Sequence, residues 1–234
     1  MKRQADLLQE EPWETLIILD ACRHDKFKEV VEEKNILGKL EPCLSPAQHT
    51  ADWYLYYWGR KKTQDIVLIS AQIVPWVSDW TNGVWQNFYR AIHTWKHGTD
   101  FPSIKATMDE AEKQRLVFPD KKLLIHLIPP HLPFIGPKGV AFTQSKFGSK
   151  PQMYSQYSLI QKYGRQHGWE EIQFYYKESI ETAMSRVLAY KWLKNAVITA
   201  DHGELIGEGG FYNHGRYLKS CEALRVVPWF RLEK

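Results

Sequence analysis

The densest chemistry in this 234-residue chain is Asp201-His202-Gly203-Glu204, followed by a glycine-rich turn that closes in Asn213-His214-Gly215. A carboxylate beside an imidazole offers a hard oxygen and a nitrogen, a pairing suited to Zn²⁺ or Mn²⁺. Gly203 would let the backbone turn close beside such an ion. The duller alternative is a strand-to-loop turn carrying solvated charges. Two further groups of the same kind are Asp20, in Leu19-Asp20-Ala21-Cys22-Arg23-His24-Asp25, and His131, in Pro129-Pro130-His131-Leu132-Pro133. Thr50, after Ser45-Pro46-Ala47-Gln48-His49, supplies a hydroxyl.

Positioning these groups is a task for the apolar runs that precede them. Thr15–Leu19, Asp65–Ser70, Lys122–Ile128 and Ala196–Ala200 are short, β-branched runs that read as buried strands. Asp20, His131 and Asp201-His202 each follow such a run, whereas Thr50 and His214 lie in connecting segments. Helical patterns are expected over roughly 25–34, 50–58, from Pro102 to about Leu116, and 169–194. Arg225–Phe230 resembles a last strand, and residues 36–40 are either a short strand or a turn at Gly38. Residues 1–12 read as a polar lead-in, 41–46 as a loop by its two prolines, and 136–168 as long loops or a lid. The Trp-rich stretch 72–98 reads as an insertion lining or covering a pocket. Alternating strands and helices imply an α/β fold, a three-layer αβα sandwich with a mostly parallel sheet. In such a sheet the carboxyl ends of the strands share one edge, so ligands far apart in sequence can converge there.

Composition narrows the class. A hydrophobic content of 44% with 25% charged residues is that of a globular protein, and one domain covering 1–234 is expected. The formal charge of +4 is too small and too evenly spread to indicate nucleic acid. Ten Trp and twelve Tyr serve packing or a sugar-like or lipid-like ligand. Three cysteines without paired spacing indicate neither a disulfide framework nor a zinc finger. The basic N-terminus meets acids rather than an apolar run, and no apolar stretch reaches the ~20 residues that span a bilayer, so a cytoplasmic protein is expected.

Asp20 in its Leu-Asp-Ala-Cys-Arg-His-Asp context, Pro130-His131-Leu132-Pro133, Asp201-His202-Gly203-Glu204 with Gly207-Glu208, His214-Gly215 and Arg225-Val226-Val227-Pro228 follow one another as motifs do in the alkaline phosphatase/sulfatase superfamily. The chain resembles a compact, sulfatase-like member over roughly residues 15–230, and is expected to lack the usual C-terminal subdomain. The resemblance implies one or two divalent ions (Zn, Mn, Mg or Ca) and transfer of a phosphoryl or sulfuryl group through a covalent intermediate. It makes Asp20, Asp201 and His202 the main metal ligands and Thr50 both nucleophile and metal contact. A threonine hydroxyl is a poor nucleophile until a metal lowers its pKa, and a helix N-terminus favours the developing charge. The resemblance also makes His131 and His214 groups that bind the transferred oxygens, protonate the leaving group or complete a second metal site.

Cys43-Leu44-Ser45-Pro46-Ala47 lacks the pattern required for formylglycine, which argues against a formylglycine sulfatase. The expected function is therefore a metal-dependent hydrolase or phosphotransferase. Its substrate would be a small-molecule or glycan-linked phosphate or sulfate ester. The competing reading is a non-catalytic relative that keeps the fold to bind a glycan or a protein partner. Each residue also has a purely structural role open to it. Asp20 or Thr50 could cap a helix, His131 and His214 could be loop residues, and His126 reads as a packed strand histidine rather than a ligand. His49 and Ser45 are second choices for the nucleophile.

Overall fold

The apolar runs become the centre of one sheet. The computed structural model describes residues 1–95, 104–148 and 153–233. In chain order the elements are β1 (Lys2–Arg3), α1 (Gln4–Glu10), β2 (Thr15–Leu19), α2 (His24–Glu33), β3 (Gly38–Leu44), α3 (Thr50–Trp58), β4 (Ile66–Ser70), α4 (Ser78–Thr81) and β5 (Arg90–His93). They continue with α5 (Ile104–Val117), β6 (Lys122–Leu127), α6 (Pro137–Phe147), α7 (Met153–His167), α8 (Glu170–Leu188), β7 (Ala196–Thr199), β8 (Leu205–Ile206), β9 (Tyr212–Asn213), α9 (Glu222–Arg225) and β10 (Val226–Leu232).

The sheet order is β1-β3-β10-β7-β2-β6-β4-β5, with β8 and β9 forming a separate small ladder. All pairings in the large sheet are parallel except those of β10, which runs antiparallel to both β3 and β7. Every residue of β2, β4 and β7 is buried, as a strand covered on both faces requires. The helices α2, α5 and α8 pack together over the sheet. The helices α1 and α3 form a second group, joined where Trp53 Nε1 donates to the buried Gln4 Oε1 at 2.8 Å.

Register does the positioning. Strand β2 pairs with β7 so that Ile18 lies beside Thr199. Two residues further along each strand, Asp20 and Asp201 therefore emerge at the same level of adjacent parallel strands. On the other side of β2, Ile18 lies beside His126 and Leu19 beside Leu127.

Four expectations need correction. Residues 1–12 are not a lead-in: they add an edge strand and a helix whose Leu7 is fully buried. Residues 41–44 belong to β3, prolines notwithstanding, because Pro42 is the register partner of Pro228, so the two missing donors fall at one level of the sheet. Residues 136–168 are largely helical, in α6 and α7. Pro137 starts α6 at a position where its missing N–H costs nothing. Glu178, from α8, accepts from the backbone N of Lys138 at 3.2 Å and of Gly139 at 2.9 Å, satisfying first-turn donors that no local residue caps. Phe142 of α6 then stacks on Tyr175 of α8 and meets Tyr163 of α7 edge-on, while Ile160 is fully buried.

The long helix ends at Leu188 rather than near 194. Of the Trp-rich stretch, the described part holds α4, short 3₁₀ turns and the edge strand β5. Pro102 lies outside the described residues.

Replacing the distant cap, Glu178→Ala, is expected to cost about 0.5–2 kcal/mol. Denaturant unfolding measures that cost, and hydrogen exchange should show faster amide exchange at Lys138 and Gly139 with the sheet amides unchanged.

Candidate active site

Asp20, Asp201 and His202 are fully buried, and one ligand atom from each lies within 4.8 Å of the others. His202 Nε2 is 3.6 Å from Asp20 Oδ1 and 3.4 Å from Asp201 Oδ2. The tautomer follows from the backbone: His202 Nδ1 meets the Gly203 carbonyl at 2.8 Å, so it carries the hydrogen and Nε2 turns a lone pair to the carboxylates. Gly203 has a reason beyond flexibility. A Cβ there would run into the Ala223 carbonyl, and its N–H donates to the Leu224 carbonyl at 2.8 Å.

The two carboxylates are held from several directions. Asp201 Oδ1 accepts from the backbone N of Ala21 at 3.1 Å and of His202 at 2.9 Å. Ala21 adopts a left-handed φ of 58°, unusual for a residue with a Cβ, and this aims its N–H at Asp201. Its carbonyl is in turn tied to the Tyr176 hydroxyl. Gln72, from the loop after β4, donates its side-chain amide to Asp20 Oδ2. Ser45 donates its hydroxyl to the Asp201 carbonyl, and Arg225 binds the Ser45 carbonyl with two nitrogens at 2.9 and 2.7 Å.

Burial and the nearby Asp201 charge push Asp20 well above the usual carboxylate range. Burial also opposes the charge on Asp201, but His202, His126 and the Ala21 N–H outweigh it and hold that carboxyl low. Asp20 Oδ1 and Asp201 Oδ2 are buried without a hydrogen-bond partner. Ligand atoms bound about 2.1 Å from a tetrahedral ion lie about 3.4 Å apart. The observed 3.4 and 3.6 Å separations, two unpartnered carboxylate oxygens and an aimed imidazole therefore fit a divalent cation.

Thr50 is the first residue of α3 and 4% exposed. Its hydroxyl is free of helix capping, because His49 is the cap and accepts from the Ala51 N–H at 3.2 Å through Nδ1. Thr50 Oγ1 instead lies 3.2 Å from His202 Nε2.

His131 and His214 lie beside this cluster. The His202 and His214 rings are 4.4 Å apart, centroid to centroid, and those of His131 and His214 are 5.2 Å apart. Glu204, fully buried, accepts from His214 Nδ1 at 2.9 Å. Burial lifts Glu204 to about 7, with His131 and His202 pulling the other way. Burial lowers both His131 and His214 to about 4, so both rings are neutral near pH 7.

A cavity of about 370 Å³ opens over these groups. Its polar lining includes Thr50, His49, His131, His214 and Tyr157, and its apolar lining is Ile73, Val74 and Trp80. Trp80 comes from the Trp-rich stretch expected to line a pocket.

Two residues of the site were read otherwise or overlooked in the sequence. His126, read as packing, is fully buried with its Nδ1 at 2.8 Å from the Tyr54 hydroxyl, while its unpartnered Nε2 points to Asp20 Oδ2 at 3.7 Å and Asp201 Oδ2 at 4.0 Å. Burial lowers it to about 4, so it is neutral and its ring faces the carboxylates as a fourth side chain of the cluster. The signal was a lone polar residue in an otherwise apolar central strand. Tyr157 had no such signal, since it comes from α7, in a stretch that reads as loop.

The sequence matches no protein-family model, and no curated protein matches it. Solved structures do match. The C-terminal periplasmic domain of phosphoethanolamine transferase EptC from Campylobacter jejuni superposes with a TM-score of 0.59 at 15% identity, over 92% of this chain and 77% of that one. The C-terminal periplasmic domain of EptC from Escherichia coli, in complex with Zn, gives 0.51 at 10% identity, over 92% and 71%. A 2-O GAG sulfatase gives 0.53 at 11% identity, over 95% and 64%. The chain thus shares the alkaline-phosphatase-like fold of these structures. Both transferase domains are periplasmic by description, and they lend no support to a cytoplasmic location. Among the described residues no helix is long and apolar enough to cross a membrane.

Two adjacent buried carboxylates repel each other until a cation joins them. Asp20→Asn is therefore expected to raise the melting temperature of metal-free protein by a few degrees while removing the further rise that Zn²⁺ or Mn²⁺ gives the wild type. Thermal unfolding with and without metal checks both signs.

Proposed function

We propose that this chain is a metal-dependent enzyme that hydrolyses or transfers phosphate or sulfate esters, with Thr50 as its nucleophile. The observation that carries the reading is the position of Thr50. Its hydroxyl is released from capping by His49 and set 3.2 Å from His202 Nε2, in the lining of an open cavity. Asp20, Asp201, His202 and the Thr50 oxygen would hold a divalent ion, with His126 Nε2 facing the same carboxylates. The Zn described with the E. coli transferase domain agrees with this donor set. Bound there, such an ion would lower the pKa of the threonine hydroxyl and neutralise charge on the non-bridging oxygens of the ester.

The chain's own residues supply the rest. Thr50 loses its proton to water in the open cavity and its Oγ forms the bond to phosphorus or sulfur, while the bond to the leaving oxygen breaks. His131 and His214 line the same cavity and serve to orient the ester group, while the leaving oxygen takes up its proton through water. The Ala51 N–H is already taken by His49, so the backbone beside Thr50 is pinned rather than aimed at substrate. Hydrolysis ends with water attacking the Thr50 ester; transfer ends with an acceptor hydroxyl doing so. The Ile73, Val74 and Trp80 wall faces the group that departs or accepts, and it suits a flat, uncharged surface.

With Mn²⁺ or Zn²⁺, the purified protein is expected to turn over nitrophenyl phosphate, phosphodiester or sulfate esters, and chelation should stop it. Thr50→Ala should lower kcat on the order of 10⁴-fold or more, as loss of a covalent nucleophile does. Turnover that survives in Thr50→Ala rules out this nucleophile. Trp80→Ala should raise KM about tenfold for aryl esters, equivalent to ~1.4 kcal/mol of binding, with kcat changed much less. Steady-state kinetics on aryl and methyl esters separates these effects.

A further inference from the structure

Beside the Asp20–Asp201–His202 cluster lies a second group of would-be ligands: His131, His214 and Glu204. Two imidazoles and a carboxylate are a donor set that could hold a second divalent ion. Here they converge on a phenol. The Tyr157 hydroxyl oxygen is 2.9 Å from His131 Nε2, 3.2 Å from Glu204 Oε2 and 3.4 Å from His214 Nδ1. An ion bound by those atoms would sit about 2.0–2.2 Å from each, in the space the phenol oxygen fills.

The hydrogen bonds of this group close without a cation. His131 Nδ1 meets the Leu132 carbonyl at 2.9 Å and so carries the hydrogen, which leaves Nε2 to accept from the Tyr157 hydroxyl. His214 Nδ1 is spent on Glu204 Oε2 at 2.9 Å. Within this group, one carboxylate oxygen, Glu204 Oε1, is buried without a partner. The first cluster is built the opposite way, with Asp20 Oδ1, Asp201 Oδ2 and His126 Nε2 all unpartnered, the two oxygens 3.6 and 3.4 Å from His202 Nε2 and His126 Nε2 4.0 Å from Asp201 Oδ2. The tyrosine ring is itself held in place, packed against Tyr212 at 5.6 Å between centroids.

We infer that this chain binds one divalent ion, in the Asp20–Asp201–His202 cluster, and that Tyr157 is a positioning residue whose hydroxyl takes the place of a second. The inference rests on the metal reading of the first cluster given above. Tyr157 does electrostatically weaker work than an ion would: its O–H dipole fixes the His131 ring and leaves both histidines as neutral imidazoles at the cavity wall.

Titrating metal-free protein with Co²⁺ tests this, read by the visible d–d absorbance and by metal content after gel filtration. Wild type and Tyr157→Phe, whose ring still fills the space, should both reach their endpoint at one equivalent. Tyr157→Ala clears the space and should take a second equivalent, which the double variant Tyr157→Ala/His131→Ala should lose. His131→Ala alone should keep the one-equivalent endpoint and the wild-type spectrum, a result available even if Tyr157→Ala fails to fold. Two equivalents in wild type overturn the inference while leaving the metal-dependent reading intact, and so does a changed endpoint or spectrum in His131→Ala. A folded Tyr157→Ala that stops at one equivalent overturns it too. No uptake by wild type, matched by no uptake in Asp201→Asn, removes both readings together.

Discussion

Two carboxylates buried side by side are the constraint on which this structure turns. Oxygens of Asp20 and Asp201 lie within 4.8 Å of each other with no water-exposed surface on either residue. At an effective dielectric near 20, such a pair repels by roughly 3–4 kcal/mol if both are charged. The fold does not relieve this by separating them. It surrounds them with the Ala21 and His202 N–H groups and the Gln72 amide, and accepts an unusual backbone conformation at Ala21 in doing so. A pocket of oxygens kept close in this way could hold a divalent cation.

The supports reach well beyond the site. Arg225, at the start of the antiparallel β10 region, grips the Ser45 carbonyl, and Ser45 grips the Asp201 carbonyl. Tyr176 on α8 holds both sides of the Asp20 turn, donating to the Ala21 carbonyl and accepting from the Arg23 N–H at 3.0 Å. Arg23 in turn spans Asp25 and Glu208, so the loop after Asp201 is tied to the loop after Asp20. Packing, strand register and hydrogen bonding thus converge on the same few atoms, and precise placement of that kind is what group transfer requires.

Around this rigid floor the cavity is two-sided. Its polar side combines the nucleophile candidate with three histidines and a tyrosine, and its apolar side is contributed by the loop after β4 and by α4. Of the polar groups, Thr50 sits on the first turn of α3, His131 in the loop after β6, Tyr157 on α7 and His214 just after β9, whereas Ile73, Val74 and Trp80 come from short, irregular elements.

The strands were legible in the sequence because burial on both faces demands continuous apolar runs, and Asp20 and Asp201 were legible because each interrupts such a run at its carboxyl end. Parallel pairing made their meeting predictable in kind, and the α/β class with it. Composition and local pattern went no further. Whether His126 turned its Nε2 to the carboxylates was undecidable in a strand covered on both faces, where alternation carries no sign. That α6 and α7 are helices depended on Glu178 and on aromatic contacts with α8, partners distant in sequence, and with α7 came Tyr157. Residue types and strand ends were set by the chain itself; which side chains share a single point of space was decided by register and packing, since those alone fix the directions of groups more than a hundred residues apart.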